Sequence, residues 1–214
     1  EISNLGNEAI TLDDTTLAVA TLNTLDGNTT GVVNATTITT LNGTAAAANT
    51  AYASSGISNL GNEIVVLTDE SVVASVLNTL DSATTGAINA HTVTTITGTA
   101  ADANTAYASG GIAGLDSETV VISDGSLAVT VLNTLDGNTT GTVNAASVTT
   151  LTGTAANLST AYASSGISNL GDEAVNVNSG TASVSQVNTL ASATTGTLTA
   201  TVTEGDMATL AGIT

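Results

Sequence analysis

The chain repeats itself every 55 residues, and that interval limits its fold more than any other feature. The phrase running from Leu22 to Gly31 (Leu-Asn-Thr-Leu-Asp-Gly-Asn-Thr-Thr-Gly) returns from Leu77 to Gly86 and from Leu132 to Gly141. An altered copy runs from Val187 to Gly196. A second block opens at Ile2 and keeps the same spacing at Ile57, Ile112 and Ile167. Self-similarity at a fixed period marks an array in which each unit buries its apolar face against its neighbours. The expected repeat units are 2–56, 57–111, 112–166 and 167–214, together one solenoid segment. The chain opens and stops in mid-unit, which reads as a fragment of a longer protein.

Two periodicities alternate within a unit. Ile10 and Leu12 flank Thr11, and Val65/Leu67, Val120/Ile122 and Val175/Val177 take their places in later copies. A spacing of two with one apolar side predicts a short half-buried strand. Thr16, Ser71, Ser126 and Thr181 stand before an apolar run and read as helix N-caps. Val19, Leu22 and Leu25 then recur at the spacing of one helical stripe, and Asp26-Gly27-Asn28 reads as its end. The second half repeats the scheme. Thr37 to Leu41 is strand-like, Thr44, Thr99 and Thr154 are the next caps, and Ala45 to Ala53 is rich in the best helix former. Gly56, Gly111 and Gly166 read as left-handed stops after that helix.

The predicted fold class is an α/β solenoid of about eight stacked strand–helix coils, two per repeat, with one parallel β-sheet and a helical wall. The alternative is an all-β solenoid. The alanine-rich stretch weighs against it, because alanine is a poor strand former.

Charge narrows the function classes. Eighteen Asp and Glu face no Lys or Arg, so no carboxylate has a lysine or arginine partner on its own chain. Nucleic acid is excluded as a partner, since backbone binding needs cationic side chains. No stretch of about 18 apolar residues is present, so no membrane insertion is expected. Cysteine is absent and His91 is the only histidine, with Thr36 and Ala146 at the matching positions. With so few of the groups that catalysis draws on, no enzyme activity is expected.

Two sets of recurrent polar residues are the candidate sites. Glu8, Glu63, Glu118 and Glu173 hold one position before the first strand, and Asp14, Asp69 and Asp124 close that strand. Columns of carboxylates beside Asn/Gly turns supply the hard oxygens that Ca²⁺ prefers. No EF-hand loop or calcium β-roll nonapeptide accompanies them, so Ca²⁺ is a possible ligand and no cofactor is required. Asn23, Asn78, Asn133 and Asn188 recur before a threonine and predict a hydrogen-bonded structural ladder that satisfies loop backbone groups. Thr37/Thr39, Thr92/Thr94, Ser147/Thr149 and Thr201/Thr203 suggest outward rows like those of ice-binding solenoids, interrupted in alternate coils.

The stretches Leu132 to Gly141, Val148 to Thr154 and Ile167 to Glu173 resemble repeats in very long, acidic surface proteins of marine cyanobacteria, and the likeness covers essentially the whole chain. It implies an extracellular or cell-surface protein of adhesin, matrix or filament type. The expected function is therefore a structural repeat module, a rod, spacer or filament-forming segment that stacks end to end with neighbouring repeats or self-associates. The alternative is a repetitive binding surface for Ca²⁺, a glycan or ice.

Overall fold

The computed structural model describes residues 6–178 and 180–213. Ile2 to Leu5, the start of the first repeat block, lie outside the described residues, as do Glu1, Ser179 and Thr214.

Short parallel strands alternate with eight helices among the described residues. The helices are α1 (Val19–Asn28), α2 (Ala45–Ala53), α3 (Ala74–Ala83), α4 (Ala100–Ala108), α5 (Val129–Asn138), α6 (Ala155–Ala163), α7 (Val184–Ala193) and α8 (Met207–Leu210). This is an α/β solenoid-like repeat fold. The chain gathers into two compact units. The first comprises residues up to Ile96 with Thr105–Leu115; the second comprises Thr97–Asn104 and the chain from Asp116 onward.

In the first unit the strands form two rows. Ile10–Thr11, Val33–Asn34 and Ile57–Ser58 pair in that order. The second row runs Thr16–Ala18, Thr40–Gly43, Ile64–Leu67, Ile88–Asn89, Ile112–Ala113. The second unit carries its own rows: Thr119–Ile122, Val143–Asn144 and Ile167–Ser168 in one, and Ser126–Ala128, Thr150–Gly153, Ala174–Val177 and Leu198–Thr199 in the other.

The register departs from the expected single sheet of half-repeat coils. Thr16 pairs with Thr40 and Thr40 with Ile64, 24 residues apart each time, whereas Ile10 and Val33 are 23 apart. Two pairing steps thus cover 47 or 48 residues, seven or eight short of the 55-residue repeat. The remainder carries the chain sideways from one row into the next. The coil leaving α2 gives Ile57–Ser58 to the first row and Ile64–Leu67 to the second. The cause is a mismatch of widths. Paired strands lie about 4.8 Å apart, whereas packed helices need about 8–10 Å. A sideways step in every repeat lets the two walls advance together, at the expense of one continuous sheet.

Inward strand positions and one face of each helix form the core. Leu41, Val65 and Ile88 are buried against Leu22, Ala48 and Leu77 in the first unit; Leu151 and Val175 lie with Leu132, Leu135 and Leu158 in the second. Thr44, Thr99 and Thr154 cap their helices as expected, accepting from the amides of Ala47, Asp102 and Asn157 at 3.1–3.2 Å.

Three local expectations are corrected. Thr16, Ser71 and Ser126 begin strands instead of capping helices. α1, α3 and α5 start three residues later, after Ala18, Val73 and Ala128, with no side-chain cap. In the last copy Ser183, not Thr181, is the cap, in a capping box with Gln186. Asp26-Gly27-Asn28 lies inside α1, and the chain turns at Thr29. Gly56, Gly111 and Gly166 are not left-handed. They are glycines because a Cβ would strike the carboxylate of Asp26, Asp81 or Asp136.

Candidate functional site

The recurrent glutamates lie inside the protein in three of four copies. Glu63 and Glu173 are each 1 % exposed and Glu118 is 4 % exposed, while Glu8 is open to solvent. Burying a carboxylate with no cation nearby is costly unless donors surround it. Glu63 Oε2 accepts from the Tyr52 hydroxyl at 3.0 Å and from the Gly61 amide at 2.8 Å. Glu173 Oε2 repeats the pattern with Tyr162 at 3.0 Å and Gly171 at 2.9 Å. Glu118 takes the Asp116 amide at 2.9 Å. Burial and the adjoining carboxylate push the Tyr52 and Tyr162 hydroxyls well above the usual phenol range. The Glu63 carboxylate keeps a second oxygen, Oε1, buried and without a hydrogen bond.

The aspartates do something different. Asp69 Oδ2 accepts from the Ala45 amide, the first residue of α2, at 2.9 Å, and Asp124 Oδ2 accepts from Ala100, the first of α4, at 2.8 Å. Each carboxylate thus caps the helix of the preceding coil, where the helix dipole favours negative charge. Glu204 does the same for Val184 of α7 at 3.1 Å. Asp14 is exposed. Among the described residues, no group of three His, Cys, Asp or Glu side chains is placed to hold a metal ion.

The asparagine column runs along the helices. Asn23 donates from α1 to Ala47 O of α2 at 2.9 Å, Asn133 from α5 to Asn157 O of α6 at 3.0 Å, and Asn188 from α7 to Gly212 O at 2.7 Å. Asn78 holds the same position in α3. In two of these bonds the acceptors are helix-wall carbonyls instead of the loop groups expected. The ladder has members that the 55-residue alignment hid. Asn49 donates from α2 to Val76 O of α3 at 2.9 Å, and Asn104 from α4 to Val131 O of α5 at 3.0 Å. They occupy the other half of the repeat, and Ser159 replaces them in the third copy. Comparing half-repeats helix to helix would have found them.

A fourth set was missed although it is kept in every copy. Thr194 Oγ1 donates to Glu173 O at 2.7 Å and accepts from the Gly196 amide at 2.9 Å, while the Thr195 amide reaches Gly171 O at 2.7 Å. Thr29-Thr30-Gly31, Thr84-Thr85-Gly86 and Thr139-Thr140-Gly141 make equivalent clamps. The glycine is needed for close approach: a Cβ on Gly86 or Gly196 would overlap the carbonyl of Glu63 or Glu173. Strict repetition was the signal available in the sequence.

The threonine pairs considered for ice point elsewhere. Thr37 and Thr39 lie outside the strands, and their hydroxyls donate to Leu12 O and Thr15 O at 2.9 and 3.0 Å. A shallow groove lies along α7 between Val184, Asn188, Glu204 and Thr209. No buried carboxylate opens into it. The recurrent polar groups thus bond mainly to the backbone of an adjacent coil, and they do not converge on one cleft.

No family model matches the sequence, and no curated protein or solved structure matches it.

Proposed function

We propose that this chain is a structural repeat module, a spacer segment of an extracellular or cell-surface protein. The observation that carries the reading is the use of its polar residues. Glu63 and Glu173, Asp69 and Asp124, and the Asn and Thr columns are all engaged in joining backbone segments, mostly of one coil to the next. A chain built to bind or transform a ligand keeps some polar groups converging on a pocket. The placement at the cell surface rests on the resemblance of the Leu132–Gly141 and Ile167–Glu173 phrases to cyanobacterial surface-protein repeats.

The test is calorimetry together with single-molecule pulling. A spacer unfolds in steps that recur with the repeat, and its melting temperature is unmoved by millimolar Ca²⁺ or by a chelator. A Ca²⁺-dependent rise in melting temperature would transfer the reading to the alternative, a repetitive binding surface.

A further inference from the structure

The outward side of the strand rows differs from the rest of the surface. In the second unit, Ser126, Thr150 and Ala174 share one outward column, and Ala128, Thr152, Asn176 and Thr199 share the next. In the first unit the columns are Thr16–Thr40–Ile64 and Ala18–Asn42–Val66–Asn89–Ala113. None of these positions is charged, although the chain carries 18 Asp and Glu. The side chains of Thr40, Asn42, Thr150, Thr152 and Asn176 make no hydrogen bond within the chain. That sets them apart from the clamps and ladders, whose hydroxyls and amides are bonded internally.

We infer that this uncharged strand face is a self-association surface, and that its occupant is the same face of a second copy of the chain. The argument is electrostatic first. Two copies of a chain with formal net charge −18 repel wherever carboxylates meet. On this face no carboxylate is offered, so the approach costs least there. The face is also suited to packing. Its side chains are short, neutral and spaced about 4.8 Å along each column. Small side chains and asparagine rows from two facing sheets interdigitate into tight interfaces. A face applied to its own copy is self-complementary and closes as a dimer. A basic partner has no carboxylate to engage here, and a sugar-binding role lacks the aromatic platform it would use.

Added salt strengthens the association, because it screens the carboxylates at the rim; the screening length is about 10 Å at 0.1 M. The inference is independent of the spacer reading, since a spacer unfolds in the same steps whether single or paired.

Sedimentation equilibrium of the intact chain across concentration and salt tests it. The expected result is a monomer–dimer equilibrium that tightens with salt. Asn42→Asp and Asn176→Asp, which are nearly isosteric and outward, together weaken it by at least about tenfold. Thr24→Asp and Thr134→Asp add the same charge to the helix wall, where both threonines are exposed, and leave it within about twofold of the original. Circular dichroism confirms that both variants fold. Monomer at every concentration and salt overturns the inference. So does equal weakening by the helix-wall pair, which would make net charge the cause and not the face.

Discussion

His91 fills the space that a side chain on Gly114 would need: a Cβ there would lie 2.6 Å from His91 Nδ1. In the neighbouring repeats this corner is built another way. Asn59 and Asn169, both in the left-handed region, donate to Asn34 Oδ1 and Asn144 Oδ1 at 2.8 and 2.9 Å. In the middle copy the asparagine is Gly114, and the missing donor is replaced by the His91 ring, 2.6 Å from Asn89 Oδ1. The only histidine in the chain is thus one half of an exchange between two coils.

That exchange predicts a coupling. His91→Thr costs about 0.5–1.5 kcal/mol by removing the donor. Gly114→Asn alone is unfavourable because it meets the imidazole. The double variant copies the first repeat, Thr36 with Asn59, and returns to near the parent stability. A urea-unfolding double-mutant cycle with strictly additive single effects would defeat this account.

Tyr52 and Tyr162 should govern the alkaline limit. Their folded-state pKa values are raised by burial and by the adjoining glutamates, so the neutral phenol is the form the folded state favours. The stability they contribute is complete below the ordinary phenol value near 10 and is lost as pH rises through it and beyond. Unfolding free energy measured from pH 8 upward should fall more gently in Tyr52→Phe than in the parent. At neutral pH the same variant costs about 1–3 kcal/mol, because Glu63 loses a donor in a buried setting. A Phe variant with parent stability and parent pH dependence would remove the glutamate–tyrosine pair from the account.

Glycines in one repeat should respond oppositely to alanine. Gly86→Ala drives a methyl into the Glu63 carbonyl, and backbone cannot swing aside, so a loss of at least about 2 kcal/mol is expected. Gly137 lies in α5 with open space around it, and alanine there should stabilise by up to about 1 kcal/mol. Thermal melts of the two variants decide it, and shifts of the same sign would contradict the geometry.

Capping from the next coil predicts a graded series at Asp124. Asp124→Ala exposes the α4 amide of Ala100 and costs about 1 kcal/mol. Asp124→Asn keeps an acceptor and recovers most of that. The remaining difference from aspartate is electrostatic and should shrink at high salt. An asparagine variant as weak as the alanine one would show that Asp124 does not act as a cap.

Much of the fold was legible in the chain because it is written in local periods. Leu77 and Leu80, Val65 and Leu67, and the caps Thr44 and Thr154 follow from spacing and chemistry within a few residues. What was not legible depends on partners 20 or more residues away. A hydroxyl before an apolar run marks a helix cap at Thr44 and a strand start at Thr16, and only the adjoining strand Thr40–Gly43 distinguishes them. Glu63 reads as a surface acid until the Tyr52 hydroxyl and the Gly61 amide are seen around it. Gly56 looked like a helix stop, yet what fixes it is the carboxylate of Asp26.

The sideways step between strand rows bears on how such a chain can change in length over generations. Unequal crossing-over that adds or removes a whole 55-residue copy leaves every row in phase. A join at the half-copy would set α1-type segments where α2-type segments belong, and would send each strand to the wrong neighbour. Length variation in descendants of this gene should therefore come in whole copies, as a track can be relaid only in complete panels.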